Sequence, residues 1–285
     1  MMLSKDIKIL IVGLGFIGGS YAKALSEKGY HIGAITLNQS DIDYALENHL
    51  IESGMTEVDE NYVSQFDLVI FCLYPRVFLK WIEKYHSYFK EGAIVTDVCG
   101  VKQSIVYKAE KILFPKVNYV SSHPMAGKEV YGVVNADDSV FKNANFIITP
   151  TKKSSTIACQ MIEELAREIG FKKISYLSVR KHDEMIAFLS QLTHCIAVSL
   201  MTCKESHHLK DYTGDSFRDL TRIANINEKM WSELFILNKS MLVNEINSFI
   251  SELEKLKSTI ENNDIVKMEE MMKLSTYRRS FFNKK

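Results

Sequence analysis

Two hydrophobic periods alternate through the first half of the chain. Short runs of β-branched and aliphatic residues at 7–12, 31–35, 68–73, 93–97, 119–122 and 145–149 have the length of buried strands. Between several of them, at 20–28, 41–47 and 77–89, apolar residues recur at helical spacing. A further run at 174–177 adds one more strand. Strands alternating with helices predict an α/β fold built on a doubly wound parallel sheet. The texture then changes. There is no proline after Pro150, and leucine, methionine and charged residues keep helical spacing through "MIAFLSQLTHCIAVSLM", "EKMWSELFILNKSMLVNEINSFISELEKL" and "IVKMEEMMKLSTYRRSFF". The pattern therefore predicts two closely packed domains: an α/β domain over 1–177 and an all-helical domain over 178–285.

The first strand runs into "GLGFIGGS" (13–20), which then opens a helix. A GxGxxG turn in that setting predicts a Rossmann-type dinucleotide site. Gly13 permits the bend, Gly15 lets the backbone approach a pyrophosphate, and Gly18 lets helix and strand pack closely. Phe16 and Ile17 lie inside the turn, where the free N–H groups of the helix start face the anion. An acidic residue at the end of the second strand would bind the adenosine ribose. Here "HIGAIT" ends on Thr36, followed by Asn38, Gln39 and Ser40. Nothing at that strand end repels a 2′-phosphate and no Arg or Lys in the loop attracts one. The expected cofactor is NAD or NADP, with a mild lean to NADP.

Charge narrows the function classes. Lys+Arg and Asp+Glu are both 35, so the net charge is zero and a basic nucleic-acid or membrane-surface partner is not expected. The five cysteines form no CxxC and lie mostly in apolar runs, as core thiols of a reducing compartment do. No apolar stretch approaches the ~18 residues of a spanning helix. A cytoplasmic enzyme is expected.

Four further stretches carry chemistry: "TDVCGVK" (96–102), "SSHPMAGKEVYG" (121–132), "HDEMIAFLSQLTH" (182–194) and "GDSFRDLTRIANINEKMW" (214–231). Together with the glycine turn they resemble the prephenate/arogenate dehydrogenase family of tyrosine biosynthesis, from about residue 7 to about 240. The resemblance implies NAD(P)-dependent oxidative decarboxylation of prephenate or arogenate, driven by aromatisation of the ring and needing no metal. His123 matches the family's catalytic histidine, and neutral imidazole accepts a hydroxyl proton near neutral pH. Arg222 matches the arginine that binds a substrate carboxylate. His194 and Ser190 match residues lining the substrate site, and Glu129 matches a glutamate at its mouth that pairs with an arginine when substrate is absent. Asp97 is placed with Gly13, Gly15, Phe16, Ile17, Gly18 and Thr36 on the cofactor side.

One departure stands out. The family commonly has Gly-Ser where this chain has Cys99-Gly100, so the hydroxyl that orients the substrate is missing. Ser121, Ser122 or a water are the alternatives, and Ser122 is placed among the substrate-binding residues. The reaction needs no nucleophile, so Cys99 is given no catalytic role. Helices of this family pack across a two-fold axis, and the methionine-rich stretch 265–282 predicts a homodimer through the C-terminal helices. Two other readings compete. A β-hydroxyacid dehydrogenase relies on a lysine in its helical half, and the His-Pro-Met-Ala-Gly run argues against it. A non-catalytic dinucleotide sensor needs neither His123 nor Arg222.

Overall fold

The computed structural model describes residues 3–205 and 207–282. Six parallel strands, β1 (Lys8–Val12), β2 (His31–Ile35), β3 (Ser53–Met55), β4 (Leu68–Phe71), β5 (Ile94–Asp97) and β6 (Asn118–Tyr119), form one sheet in the order β3-β2-β1-β4-β5-β6. This is a Rossmann-type order, and the direction of winding reverses between β1 and β4. β1, β2, β4 and β5 are apolar almost throughout because helices cover both faces of the sheet. On one face lie α1 (Phe16–Ser26) and α6 (Thr156–Glu168), whose Tyr21, Leu25, Ile162 and Leu165 join the core around Ile9 and Ile11. On the other lie α4 (Pro75–Tyr85) and α5 (Val106–Leu113), with Phe78, Ile82, Val106 and Leu113 around Leu10 and Val69. The shorter helices α2 (Gln39–Glu47) and α3 (Glu60–Val63) complete the crossovers beside β3.

The structure differs from the pattern in two strands. β3 is three residues around Gly54 and has no apolar run to betray it. The run 119–122 is two strands: Val120 donates its N–H to Val95, and the chain then leaves the main sheet. Its continuation β7 (Ser121–Met125) pairs antiparallel with β8 (Asn145–Thr149), and β8 pairs parallel with β9 (Lys173–Tyr176). The departure from the main sheet is fixed by Ser122, whose hydroxyl donates to the Asp97 carbonyl at 3.0 Å and accepts from Thr96 at 2.9 Å.

Beyond β9 come α7 (Val179–Ile186), a π-helical turn (Ala187–Leu192), α8 (Thr193–Thr202), α9 (Asp215–Thr221) and α10 (Glu228–Leu237). These helices belong to one compact unit with the two sheets, Met1–Asn238, while Lys239–Lys285 forms another. Compactness thus puts the seam some sixty residues beyond the change in sequence texture. The reason is visible in the bonds. Asp183 on α7 accepts the backbone N–H groups of Lys102 and Gln103, and Asn238 bonds to the Asp183 carbonyl and to Gln191. Within the second unit, α11 (Lys239–Glu261) and α12 (Ile265–Ser280) form a helical hairpin. Asn263 turns the chain at φ 53°, and Asp264 caps α12 by accepting the Lys267 N–H.

The run from Val179 to Thr202 is one continuous helix of 24 residues with an 18-residue window of mean hydropathy 1.5. By length and composition it is able to cross a membrane, which corrects the expectation that no stretch approaches that length. Its first two turns carry its Arg, Lys, Asp and Glu residues, and there His182 and Asp183 are fully buried and bonded inside the fold.

At the glycine turn Gly13 has φ +99°, and a Cβ there would stand 2.7 Å from the Cys72 carbonyl oxygen. A Cβ on Gly18 would lie 1.9 Å from the Gly13 carbonyl oxygen. Gly18→Ala should therefore push α1 off β1 and cost at least ~1–3 kcal/mol, read as a lower Tm. Gly15→Ala, whose Cβ meets nothing within 4 Å, should cost clearly less in the same melting experiment.

Candidate active site

The carboxyl ends of β1, β4 and β5 open on one edge of the main sheet, beside the point where the winding reverses. Ligands of open α/β sheets bind at such a crevice. α1 starts here with Gly15 as its N-cap, and no side chain caps its first turn. The N–H groups of that turn are left for an anion. The empty space where a Gly15 Cβ would stand is the cradle a pyrophosphate needs, so the turn fits a dinucleotide. Phe16 is buried, which confines its contribution to its backbone, and Ile17 is half-buried. Thr36 ends β2 half-exposed, with its N–H bonded to the Met55 carbonyl. Asn38 and Gln39 behind it point their amides at Asp41 and Asp43, at 3.0 and 2.8 Å.

Asp97 does not reach this crevice directly. Its carboxylate is completely buried and is taken up by Lys102 Nζ (3.0 Å), the Cys99 N–H (2.9 Å) and the Tyr119 hydroxyl (2.7 Å). Ser122 is likewise enclosed, with its hydroxyl held by Thr96 and Asp97. It fastens β7 to β5 and has no hydroxyl to offer a substrate. Ser121 is also enclosed, so neither serine replaces the hydroxyl absent at Gly100.

His123 is half-buried on β7. Its Nδ1 lies 2.9 Å from His182 Nε2, and His182 Nδ1 lies 2.8 Å from Asp183 Oδ1. The hydrogens follow from chemistry. A carboxylate only accepts, so His182 carries its proton on Nδ1 and presents a lone pair at Nε2. His123 must then donate from Nδ1, which leaves Nε2 as a lone-pair acceptor. Among the described residues none hydrogen-bonds that nitrogen. A Cβ on Gly100 would stand 3.7 Å from it and 3.6 Å from Leu234, so a small side chain at 100 would fit and face the imidazole. Burial, with help from His182 and Lys102, holds His123 well below the ordinary histidine range. His182 is also pushed down by burial, with Asp183 acting against the shift.

Arg222 Nη1 meets Glu129 Oε1 at 2.6 Å. The two side chains are 64% and 34% exposed, so the pair is worth about 1 kcal/mol at most and opens readily to a competing carboxylate. His194 stacks on Trp231 with centroids 3.6 Å apart and bonds through Nδ1 to the Ser190 carbonyl at 2.9 Å. Burial lowers its proton affinity, against the opposing pull of the Ser190 carbonyl and Glu129. The π-helical turn carries Ser190 and directs Gln191 inward, where its amide donates to the Leu234 carbonyl at 3.1 Å. α10 is strapped to the sheet edge by Glu233, which accepts the Arg76 N–H, and by Asn227, which donates to the Tyr74 hydroxyl. His182, Asp183 and Lys102 are the members sequence reasoning did not place. The adjacent His-Asp pair in "HDEM" is their one local trace.

Residues 21–175 match the family model described as prephenate dehydrogenase, nucleotide-binding domain. Residues 178–274 match the one described as prephenate dehydrogenase, dimerization domain. The chain is 28% identical over 265 residues to the prephenate dehydrogenase of Bacillus subtilis (strain 168), spanning 90% of this chain and 71% of that protein. It is 29% identical over 264 residues to the cyclohexadienyl dehydrogenase of Zymomonas mobilis, spanning 90% and 89%. Among solved structures it is similar to prephenate dehydrogenase from A. aeolicus in complex with hydroxyphenyl propionate and NAD+. That match has a TM-score of 0.89, 31% identity and 99% of each chain covered. Synechocystis arogenate dehydrogenase, 24% identical with a TM-score of 0.83, shares the fold over 97% of this chain and all of that one.

Because burial disfavours imidazolium, the His123 ring followed by NMR should titrate below about 6.5. Unfolded histidine binds its proton more readily, so stability should fall as the pH drops below that value and be undiminished above it. A His123 titration at or above 6.5 would mean that the ring is solvated and its bond to His182 is not made.

Proposed function

The chain belongs to the prephenate dehydrogenase family, and on that premise we propose that it catalyses the NAD(P)-dependent oxidative decarboxylation of prephenate to 4-hydroxyphenylpyruvate. The observation that carries this reading is the Asp183–His182–His123 chain, which leaves one basic nitrogen, His123 Nε2, without a hydrogen-bond partner among the described residues. The first turn of α1 with Gly15 would hold the pyrophosphate, and Thr36 would lie at the adenosine ribose. When bound, the dinucleotide supplies the acceptor for the hydride from the ring carbon that bears the hydroxyl.

His123 Nε2 takes the hydroxyl proton as that hydride leaves. The proton does not pass on to His182, which with Asp183 stabilises the resulting imidazolium through the Nδ1 bond, and it returns to the phenolate oxygen once the ring is aromatic. Arg222 binds a substrate carboxylate after exchanging Glu129 for it, and the His194–Trp231 stack forms a flat wall beside it. The ring carboxylate departs as carbon dioxide, its bonding pair enters the ring, and aromatisation drives the step. No group of the chain is needed for that departure. Ser190 contributes its carbonyl to the orientation of His194. The helical half, matched to a model described as a dimerization domain, supports a homodimer. The exposed Ile265, Val266, Met272, Leu274, Tyr277 and Phe281 of the hairpin are the apolar surface it would use.

Incubation with prephenate and oxidised dinucleotide should produce the reduced-nicotinamide absorbance band; arogenate in a parallel cell measures the preference for the side chain. His123→Asn should lower kcat by roughly 10²–10⁴. Arg222→Ala should raise KM for prephenate about tenfold to a hundredfold, the worth of a charge-assisted pair. Wild-type kcat/KM should rise with pH on a limb below about 6.5, following the depressed His123. Normal turnover by His123→Asn would remove it from the base position.

Both dinucleotides should be accepted. The lean to NADP rests on Thr36, since Asn38 and Gln39 are turned to Asp41 and Asp43, carboxylates that oppose a phosphate. Thr36→Asp should shift the ratio of kcat/KM values toward NAD by roughly tenfold, mainly by harming NADP. A wild type that turns over NAD and ignores NADP would show that Thr36 does not set the choice.

A further inference from the structure

Lys102 is completely buried, an unusual place for a lysine. Its backbone N–H donates to Asp183 Oδ1 at 2.8 Å, at the far end of the histidine chain. Its ammonium donates to Asp97 Oδ1 at 3.0 Å and to the carbonyl of Ser122, the residue before His123, at 2.6 Å. One residue thus holds both ends of the Asp183–His182–His123 chain: the carboxylate through its backbone, and the strand bearing the base through its side chain. The counter-ion is held equally firmly, since Asp97 also takes the Cys99 N–H and the Tyr119 hydroxyl.

A buried ion pair is a poor device for stability, because well-packed apolar residues often do as well. A role in setting up the site explains it better. We propose that Lys102 is a positioning residue for His123, fixing β7 against β5 and holding its ammonium behind the imidazole pair. The inference rests on the reading of His123 as the base. The charged and titratable groups around the pair come from three elements: Asp97 on β5, Lys102 on the turn after it, and His182 with Asp183 on α7. The Lys102 charge opposes a proton on either ring, whereas Asp97 and Asp183 favour one on His182. Burial and cation act together on His123, the less enclosed of the two rings, and keep its Nε2 lone pair available at neutral pH.

Lys102→Met isolates the ammonium, because every substitution keeps the backbone bond to Asp183. The expected result is a kcat lower by roughly tenfold to a hundredfold, the usual effect of a misplaced catalytic group. KM for the dinucleotide should change little. His123, followed by NMR of the imidazole nitrogens in the enzyme without substrate, should titrate higher by roughly one unit. That titration decides the inference whether or not prephenate is turned over, whereas turnover by the wild type tests the underlying reading. If the uncompensated Asp97 unfolds the variant, Lys102→Met with Asp97→Asn removes both charges and is judged by the same titration. A folded variant whose His123 titrates as in the wild type overturns the proposal, whatever its stability.

Discussion

The site depends on one carboxylate that crosses from the helical region into the α/β region. Asp183 accepts the N–H groups of Lys102 and Gln103, eighty residues away in sequence, and the Nδ1 proton of its neighbour His182. Three donors converge on two oxygens without solvent, so neither the turn after β5 nor the start of α7 can move independently. The bond orders a whole series of parts. It fixes where α7 lies and therefore where the His182 ring lies, and that in turn decides which nitrogen of His123 carries a proton. Loss of the carboxylate would release the helix and the tautomer together.

Around that anchor the site separates into a rigid side and a labile side. The rigid side is the buried cluster of Asp97, Lys102, Tyr119, Ser122 and Thr96, whose polar groups find partners inside the protein. Low dielectric strengthens these bonds and penalises any break, which suits a group that must hold a base in one place. The labile side is the Arg222–Glu129 pair. It is partly solvated and therefore weak, as the proposed exchange of one carboxylate for another requires. The same interaction type, an ion pair, serves opposite ends according to burial.

The dinucleotide end is governed by contact distance and not by charge. Gly13 and Gly18 touch each other across the bend, and Cys72 closes the turn from β4. Of the three glycines of the turn, Gly15 alone faces open space. The three glycines therefore have different tasks: two allow the protein to pack on itself, and one lets a ligand approach. Further along, Thr36 stands half-exposed just past β2, tied to β3 only through its backbone N–H.

Much of this was legible in the chain. The parallel α/β half follows from strand-length apolar runs that helices cover on both sides, and the dinucleotide turn follows from a glycine spacing whose reason is local. His123, Arg222, His194 and Glu129 were singled out through the family resemblance that short motifs carry. The pairing of Arg222 with Glu129 and the stacking of His194 on Trp231 are tertiary facts. Residues whose roles depend on distant partners were not legible. Asp97 and Ser122 look like ligands in a sequence because nothing local shows that Lys102, Tyr119 and Thr96 have already taken up their polar atoms. His182, Asp183 and Lys102 look like an ordinary helix start and a surface lysine for the same reason. The seam at Asn238 escapes the pattern because helical spacing records which face of a helix is apolar, not what it packs against. Periodicity and turn chemistry are properties of neighbours along the chain, so the sequence alone determined them. The saturation of a buried hydrogen-bonding group, and with it the protonation of the base, belongs to neighbours in space, and only the tertiary structure decided it.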